Sequence, residues 1–410
     1  MSSIKPQTLK GFRDFLPIEA RKRQYVINAL KSVFESYGFE PLETPSLEYE
    51  EILLGKYGEE GDKLMYRFED KGKRKVALRY DQTVPLARVV AQYQNEIPMP
   101  FKRYQIQNVW RAENTQKGRF REFLQCDIDT VGQNSGVADA EIIVIVADSL
   151  EKLGFSAKGG SASGGKNFKI RIGDRKLFQD IPPSAITIID KLAKIGEEKV
   201  IAELKEKSLD EKILDKLKNA KPSEDIELIL GIAQEMGVAD KVYFDPTLAR
   251  GLDYYTGMIL EVEIDGYSAG SVCGGGRYDN LIGLFANKQI PAVGFAFGFD
   301  RLMEAMDELN LFPKDLTTTK VLVTVMSMEL GRNSIEIADL LRKNGINAEL
   351  WLDSDSKMEK QLKYADKKQI PYVIIIGEKE ASKNLITLRN MKTREQKTIS
   401  LKEVIAKLAD

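Results

Sequence analysis

Residues 108–129 have the sequence NVWRAENTQKGRFREFLQCDID, and this stretch decides the fold. Its pattern predicts two strands on either side of a polar loop. The first strand carries Arg111, the loop holds Arg119, and the returning strand carries Gln125 and Asp129. We therefore expect a strand hairpin around a polar loop, with cations and carboxylates along it.

Two further blocks carry an unusual mixture of side chains. LARGLDYYTG, at residues 248–257, places a cation, a carboxylate and two adjacent phenols on one strand-like run, and GGGRYDNL, at residues 274–281, supplies a glycine-rich turn. A buried site needs that mixture to bind a small zwitterion, because charges hold its two ends and oriented hydroxyls hold a polar side chain. Glycines let the backbone approach a ligand closely. A surface hairpin with paired tyrosines is the alternative interpretation.

The composition indicates a folded protein with more than one domain. At 410 residues the chain is too long for one ordinary core, which predicts two or three domains. Lys and Arg number 61 against 62 Asp and Glu, and 43% of the residues are hydrophobic, which excludes a disordered chain. No apolar run is long enough to span a bilayer, and the N-terminus lacks the apolar core of a signal peptide. We therefore expect a cytoplasmic protein without membrane spans.

Two residue types narrow the chemistry further. The chain has no histidine, which excludes imidazole triads and zinc–histidine sites and removes the usual general base. Its two cysteines, Cys126 and Cys273, lie far apart in the sequence and do not form a metal-ligand spacing. We expect both to be buried, reduced thiols.

Hydrophobic periodicity places the elements of the first three hundred or so residues. Helices are expected near residues 19–37, 84–95 and 138–153, and the strands LMYRFED and KVALRYD form a hairpin joined by KGKR. From residue 178 to 240 the sequence is rich in Lys, Glu, Leu and Ile with helical periodicity, which indicates a helical insertion. Strand character returns in KVYFDPTLARGLDYY and MILEVEI.

The C-terminal part is organised differently. LNLFPKDLTTTK, at residues 309–320, has the proline and threonine content of a linker. Beyond it, VLVTVM, NAELWL and YVIIIG alternate with helical patterns near residues 329–344 and 356–368. This βαβαβ pattern predicts a separate α/β domain. The domain carries 17 basic against 13 acidic residues, a modest excess that fits contacts with phosphates.

One glycine-rich segment resembles a phosphate-binding loop and is excluded. KGGSASGGKN, at residues 158–167, nearly matches GxxxxGK[ST], but Asn167 replaces the hydroxyl that would bind magnesium. FKIRI after it has a strand pattern, whereas the phosphate-binding loop leads into a helix. A flexible turn between a helix and a strand is the preferred interpretation.

The blocks at residues 248–257 and 274–281 resemble the two signature motifs of histidyl-tRNA synthetases. Three further segments resemble the motifs of class II aminoacyl-tRNA synthetases. They are the first helix with the strand that ends at Pro45, the hairpin of residues 108–129, and VGFAFGFDRLM at residues 293–303. The resemblance covers nearly the whole chain.

This resemblance implies an α+β fold, with a class II antiparallel sheet flanked by helices, a helical insertion and a C-terminal α/β anticodon-binding domain. The implied boundaries are 1–170 and 241–315 for the two parts of the catalytic core, 171–240 for the helical insertion, and 320–410 for the anticodon-binding domain.

The resemblance also implies an ATP site. Arg111 would hold the α-phosphate, while Arg119 and Arg301 would hold the outer phosphates of a bent ATP. Phe123 would stack on one face of adenine and Arg301 on the other, with Glu113 orienting the base. Bidentate guanidinium groups suit this task because negative charge develops on the α-phosphate as a carboxylic acid attacks. Mg²⁺ would accompany ATP, and the sequence assigns no ligands to it.

A histidine pocket is implied in the same way. The residues that match the family's pocket are Asp81, Thr83, Gln125, Asp129, Arg250, Tyr254 and Tyr255. Asp81, Thr83 and Gln125 would surround the α-ammonium group, while Asp129 and Tyr255 would bind opposite nitrogens of the imidazole. A substrate that lacks either ring nitrogen would leave a buried polar group unpaired, which costs ~1–3 kcal/mol.

Arg250 matches the arginine that lies between the amino-acid carboxylate and the α-phosphate, so Arg250 and Arg111 are the expected catalytic cations. For Asp81 and Asp129 an alternative is structural ion pairing with the nearby Arg79 or Arg111.

The implied activity is the activation of histidine with ATP and its transfer to the 3′ end of tRNA(His), by a homodimer whose interface contains the first motif. A regulatory paralogue that partners ATP phosphoribosyltransferase is an alternative, but such paralogues typically lose the second signature block and the C-terminal domain. A tRNA-sensing module of a stress kinase is a third possibility, and the chain has no kinase segment. Histidine-dependent ATP–pyrophosphate exchange distinguishes the first hypothesis from the others.

Overall fold

A computed structural model describes residues 4–115, 118–155, 167–250 and 254–409. The chain divides into two units, the first made of Met1–Phe15 and Lys22–Phe312 and the second of Leu16–Arg21 and Pro313–Asp410. Within the described ranges, no helix is long and apolar enough to cross a membrane. Cys126 and Cys273 are buried free thiols, as predicted.

An eight-stranded sheet forms the centre of the described part of the first unit. In spatial order its strands are β1 (Glu40–Pro41), β5 (Phe101–Trp110), β6 (Glu122–Val131), β11 (Ala292–Gly298), β10 (Cys273–Arg277), β9 (Met258–Ile264), β7 (Phe168–Asp174) and β8 (Val242–Phe244). The inner strands from β5 to β7 are antiparallel to one another, and the edge strands β1 and β8 pair parallel to β5 and β7. The hairpin predicted from residues 108–129 is therefore the β5–β6 pair, which continues into a wide antiparallel sheet.

Helices pack against this sheet and around it. Those described in the first unit are α1 (Pro17–Ser36), α2 (Glu50–Leu53), α3 (Gly58–Lys63), α4 (Thr83–Gln92), α5 (Gly136–Lys152), α6 (Pro183–Ile189), α7 (Leu192–Ile195), α8 (Glu197–Glu206), α9 (Lys212–Lys218), α10 (Glu224–Glu235) and α11 (Phe299–Glu308). α1 buries a stripe of Val26, Leu30 and Phe34 in the core under the sheet. A glycine follows its end: Gly38 has φ = 78°, and the Phe39 N–H donates to the Phe34 carbonyl at 3.1 Å.

Helices α6 to α9 form a module with a core of its own. Val200 and Leu214 are fully buried in that core. Ala249 is buried there too, although it belongs to the segment that follows β8. α10 instead contributes Ile226 to the core beneath the sheet. The helical segment begins after β7 ends at Asp174, later than the predicted residue 171.

A smaller sheet lies apart from the main one in the same unit. Its strands are β2 (Leu47–Tyr49), β4 (Lys75–Leu78) and β3 (Arg67–Glu69), all antiparallel, and β3 with β4 is the predicted hairpin. Tyr49 and Phe68 both lie opposite Val76, so they occupy one face of this sheet. Tyr49 is 52% exposed and Phe68 is 49% exposed, which leaves an apolar face open to solvent.

The near match to a phosphate-binding loop at residues 158–167 lies outside the described residues except for Asn167. The segment that follows is strand β7, as the sequence predicts, in the place where a phosphate-binding loop would lead into a helix.

The second unit is an α/β domain built on a five-stranded sheet. Its described elements are β12 (Val321–Val323), α12 (Met328–Lys343), β13 (Ala348–Leu350), α13 (Met358–Lys367), β14 (Tyr372–Ile375), α14 (Glu378–Ser382), β15 (Leu385–Asn390), β16 (Gln396–Ser400) and α15 (Leu401–Ala409). The parallel strands β13, β12 and β14 are the predicted βαβαβ unit. The β15–β16 hairpin extends the sheet on the β14 side and was not indicated by the alternating pattern.

Candidate active site

One cleft of about 750 Å³ lies over the antiparallel sheet of the first unit. Every residue that the sequence assigns to a binding or catalytic role lines this cleft, namely Asp81, Thr83, Arg111, Glu113, Arg119, Phe123, Gln125, Asp129, Arg250, Tyr254, Tyr255 and Arg301. These residues come from distant parts of the chain, so the fold and not local sequence brings them together.

The floor of the cleft is one face of the sheet, and the strand register decides which side chains lie on it. Successive side chains of a strand point to opposite faces, so Gln125, Asp127 and Asp129 of β6 share one face of the sheet. Asp129 lies opposite Arg103 on β5 and Gly294 on β11. The polar side chains therefore stand on β5 and β6, while small residues on β11 leave the adjoining floor open.

The glycine block at residues 274–281 begins as a strand, which corrects the prediction of a turn. Gly274 belongs to the inner strand β10, where a side chain would collide with its neighbours. A Cβ atom at Gly274 would lie 1.9 Å from Nη1 of Arg250, and one at Gly294 would lie 2.1 Å from Oδ1 of Asp129. The glycines thus make room for two of the predicted site residues.

The first signature block is also corrected in part. Residues 248–250 are not in a strand, and residues 251–253 lie outside the described residues. Tyr254 and Tyr255 follow with ring centroids 4.8 Å apart. Thr83, at the start of α4, lines the same cleft. Both phenols are buried, which raises their pKa values and keeps them protonated.

One end of the cleft is rich in hydrogen-bond acceptors. Asp81 accepts hydrogen bonds from the Tyr57 hydroxyl at 2.8 Å and from the Val84 N–H at 3.1 Å. Gln125 donates to Oδ2 of Asp127 at 3.0 Å. Burial raises the pKa of Asp81, and it raises that of Asp127 well above the usual range.

Two of these acceptors are unsatisfied. Oε1 of Gln125 and Oδ1 of Asp127 are buried, and neither has a hydrogen-bond partner among the described residues. A buried acceptor without a partner is costly, so this end of the cleft suits a ligand that brings several N–H donors, such as an ammonium group. Tyr57 and Asp127 were not predicted. Asp127 shares the period-two spacing of Gln125 and Asp129, and that was the available signal.

Asp129 is held from two sides. Its Oδ2 lies 2.6 Å from Nη2 of Arg103 in an ion pair without hydrogen-bond alignment, and its Oδ1 accepts a 2.5 Å hydrogen bond from the Tyr278 hydroxyl. Burial raises the pKa of Asp129 to about 6, against the opposing effects of Arg103 and Tyr278, and Asp81 adds to the rise.

The alternative interpretation was an ion pair of Asp129 with Arg79 or Arg111, and the structure gives both arginines other partners. Arg79 donates to the main-chain carbonyls of Thr44 and Asn108, and Arg111 donates to the carbonyl of Tyr80. The ion pair of Asp129 is with Arg103, which the sequence did not single out.

Arg250 lines the cleft close to Glu261 and Tyr255. Its Nη1 is 3.0 Å from Oε1 of Glu261, and its Nε is buried without a hydrogen-bond partner among the described residues. Its guanidinium carbon lies 5.6 Å from the centroid of the Tyr255 ring.

The helical module contributes to the site as well, because Asp190, the C-cap residue of α6, lines the cleft.

The other end of the cleft is cationic. Arg111 lies over the rings of Tyr80 and Phe123, at 4.4 and 5.2 Å from their centroids. Arg119 is 3.4 Å from Glu113, and Arg301 donates from Nη1 to the carbonyl of Ser271 at 3.0 Å. Three arginines from three different segments therefore place their positive charges in this end of the cleft, which suits a polyphosphate ligand.

The N-terminal segment around Gly11 and Arg13 contacts this cationic end, which the sequence did not predict. Arg13 donates to Asp300 at 2.7 Å, and its guanidinium lies 3.2 Å from the centroid of the Phe120 ring. The Arg121 N–H donates to the carbonyl of Gly11 at 2.9 Å. The segment thereby ties the loop between β5 and β6 to the start of α11.

Comparison with solved structures identifies the class of protein. The crystal structure of histidyl-tRNA synthetase from a Nostoc species matches this one with a TM-score of 0.83 and 32% sequence identity, covering 99% of this chain and 100% of that chain. The antiparallel sheet, the cleft above it and the C-terminal α/β domain are those of a class II aminoacyl-tRNA synthetase, which confirms the predicted fold class.

Sequence comparison identifies the family. The profile of histidyl-tRNA synthetases matches residues 11–161 and 167–302, and that of an anticodon-binding domain matches residues 320–410. The histidine–tRNA ligase of Cytophaga hutchinsonii is 38% identical, covering 98% of this chain and 99% of that protein, and the one of Christiangramia forsetii is 40% identical, covering 96% and 97%. The chain therefore belongs to the histidyl-tRNA synthetase family.

Proposed function

We propose that this protein is a histidine–tRNA ligase, which activates histidine with ATP and transfers it to the 3′ end of tRNA(His). One observation carries the proposal: a single cleft holds unsatisfied buried acceptors, a carboxylate facing a phenol, and three arginines. These groups match, in order, the ammonium, the imidazole and the triphosphate of the two small substrates.

Histidine is selected at the buried end of the cleft. Asp81, Thr83 and Gln125 bind the α-ammonium group, with the unsatisfied oxygen of Asp127 as a fourth acceptor. The ionised Asp129 accepts a hydrogen bond from one ring nitrogen, and Tyr255, a protonated phenol, donates to the other. A ring without one of these nitrogens leaves a buried partner unpaired, which is the basis of discrimination.

The first reaction step needs cations and no base. The ionised carboxylate of histidine attacks the α-phosphorus of ATP, the bond to the β-phosphate oxygen breaks, and diphosphate leaves. Arg111 and Arg250 stabilise the charge that develops on the α-phosphate, while Arg119 and Arg301 hold the outer phosphates. Phe123 and Arg301 bind the faces of adenine and Glu113 orients the base.

In the second step a ribose hydroxyl of tRNA attacks the carbonyl of the adenylate, and AMP leaves. The hydroxyl proton needs an acceptor, and the chain has no histidine to provide one. We assign this role to a phosphate oxygen of the adenylate itself, so that the proton leaves with AMP.

The donor set of the cleft fits Mg²⁺ bound together with ATP. Among the described residues, no group of three or more carboxylate or thiol side chains converges on one point. Mg²⁺ is held in such sites by one or two carboxylates together with substrate phosphates and water. Glu113 is assigned to the base, so we assign no particular carboxylate to the ion, which would neutralise charge on the phosphates when bound.

We also infer a homodimer. The open apolar face of the small sheet, with Tyr49 and Phe68, is the kind of surface that a second subunit covers. ATP and tRNA(His) are substrates of translation, so we place the enzyme in the cytoplasm, where the two cysteines stay reduced.

Histidine-dependent ATP–pyrophosphate exchange tests the function. Exchange should require histidine, and Asp129→Asn should raise KM for histidine by about tenfold or more while KM for ATP stays nearly constant. The reason is that the amide offers a weaker and differently arranged acceptor to the ring. Exchange that responds to another amino acid would reject the function, and an equal rise in both KM values would make Asp129 a structural residue.

A further inference from the structure

Arg103 is an unusual residue to find beneath a ligand pocket. Its side chain is completely buried, and it lies outside the set of residues that line the cleft. It stands directly opposite Asp129 in the β5–β6 register, with Nη2 2.6 Å from Oδ2. Arg103 therefore acts on a ligand only through other groups, and the carboxylate in ion-pair contact with it is Asp129.

The surroundings of Arg103 fix it in place. Its Nη1 is 3.4 Å from Oε1 of Gln105, whose amide nitrogen donates to Oγ1 of Thr44 at 2.8 Å and to Oε1 of Gln107 at 2.6 Å. A buried polar chain thus runs from Thr44 to Asp129. This chain and the ion pair hold the guanidinium of Arg103 beside Asp129.

Stability alone does not explain a charge in this position. A buried ion pair recovers little more than the cost of removing two ions from water, and apolar residues of similar size often replace such pairs without loss. The pair does have a direct consequence for the ligand site, because its carboxylate member faces the cleft.

We propose that Arg103 is a positioning residue that keeps Asp129 ionised and correctly oriented, and that it thereby sets the affinity of the enzyme for the imidazole ring. The inference rests on the proposed role of Asp129 in binding histidine. It assigns to Arg103 no contact with any substrate.

The effect of Arg103 on the pKa of Asp129 has the direction that this proposal requires. Asp129 faces Arg103 on β5, Tyr278 after β10, Asp127 on its own strand and Asp81 before α4. Burial and Asp81 raise the pKa of Asp129, and Arg103 is the largest opposing influence. Without Arg103 this pKa rises further, so a larger share of the Asp129 carboxyl carries a proton where the ring N–H needs an acceptor. Raising the pH removes that proton and restores binding.

The test compares Arg103→Met, which removes the charge, with Arg103→Lys, which keeps it. KM values for histidine and for ATP are measured by pyrophosphate exchange between about pH 6 and 9. Arg103→Met should raise KM for histidine about tenfold or more at pH 7, less at pH 9, and leave KM for ATP unchanged. Arg103→Lys should recover most of the loss. The imidazole of free histidine titrates identically in all variants, so differences between variants belong to the enzyme.

A comparison in the Asp129→Asn background keeps the proposal testable if Arg103→Met alone does not fold. The ion-pair partner of Arg103 is then absent, although the buried Asp127 and Asp81 remain, so adding Arg103→Met should raise KM for histidine much less than tenfold. A rise of tenfold or more there, or a loss in Arg103→Met that is independent of pH and shared by ATP, would overturn the proposal. If the parent enzyme lacked histidine-dependent exchange, the proposed function would fail instead.

Discussion

Two adjacent glycines of β10 have different tasks, because successive positions of a strand face opposite sides of the sheet. A methyl group at Gly274 would meet the end of the Arg250 side chain at 1.9 Å, whereas one at Gly275 would meet the carbonyl oxygen of Gly294 at 2.2 Å. The first contact can be relieved by moving a side chain. The second requires the backbone of two inner strands to separate.

Gly274→Ala is therefore expected to displace Arg250 without unfolding the protein. Histidine-dependent pyrophosphate exchange should fall by ~10²-fold or more, as in Arg250→Ala, because both changes remove one cation from the developing charge. Binding of ATP and the melting temperature should change little. Exchange kinetics and thermal melts measure the two effects separately.

Gly275→Ala is the matched control for this prediction. It should destabilise the fold by ~1–3 kcal/mol or more, because the added methyl group has no free space. A Gly274→Ala variant that exchanges at the parent rate would show that the position of Arg250 over this glycine does not matter to catalysis.

At this scale the sequence reveals functional residues but not their partners. Gln125 and Asp129 are visible because they alternate on a strand next to a recognisable loop. The pairing of Asp129 with Arg103 depends on the register of β5 and β6, and the hydrogen bond from Tyr57 to Asp81 depends on packing between segments. Neither contact leaves a local pattern, so neither could be predicted.

Among the elements, the small sheet of β2, β4 and β3 exposes the apolar face that we assign to dimerisation. Phe68 lies in the middle of the edge strand β3, opposite the buried Val76. Phe68→Glu should weaken the dimer strongly, because the variant would bury a charge without a partner at the interface. Sedimentation velocity or light scattering would report a shift toward the 46.2 kDa monomer.

Leu228→Glu serves as the control, since Leu228 is also exposed, at 55%, but lies on α10, away from this sheet. The parent protein and this variant should both remain dimeric. A monomeric parent protein that is fully active would contradict the proposal, as would a Phe68→Glu variant whose dimer is as stable as the parent's.

Elements with a clear hydrophobic period were predicted, and those with a glycine-rich sequence were not. α1, α5, the β5–β6 hairpin and the βαβαβ unit follow their periodicities. The block at residues 274–281 was assigned to a turn because glycine is typical of turns, whereas here the glycines serve an inner strand crowded by Arg250. The crowding comes from residues distant in sequence, so composition alone gave the wrong element.

For the whole molecule, the absence of histidine makes pH dependence informative. The imidazole of free histidine has an unperturbed pKa of about 6.5, and the pKa of Asp129 is raised to about 6. Both groups lose a proton as the pH rises: Asp129 must be ionised to accept the ring N–H, and the imidazole must be neutral so that its other nitrogen accepts the Tyr255 hydroxyl. We therefore expect kcat/KM for histidine to rise with pH and to level off above about pH 7.

The rate of the transfer step should not fall at low pH in this way, because the histidyl group is already bound when tRNA reacts. A single-turnover assay with preformed histidyl-adenylate measures that step alone. If the rate of transfer still fell near pH 6.5, a carboxylate of the enzyme would be acting as the base, and the proposed proton transfer to the adenylate would be wrong.

Ala249 sits in the core of the helical module, and the next residue in the chain is Arg250. Adjacent Cα atoms are only about 3.8 Å apart, so Arg250 must follow any displacement of Ala249. Asp190, at the end of α6, lines the cleft as well, so the module meets the cleft at two places. We therefore expect a displacement of the module to change the position of Arg250, and with it the rate of the proposed reaction, without altering any residue assigned to histidine binding.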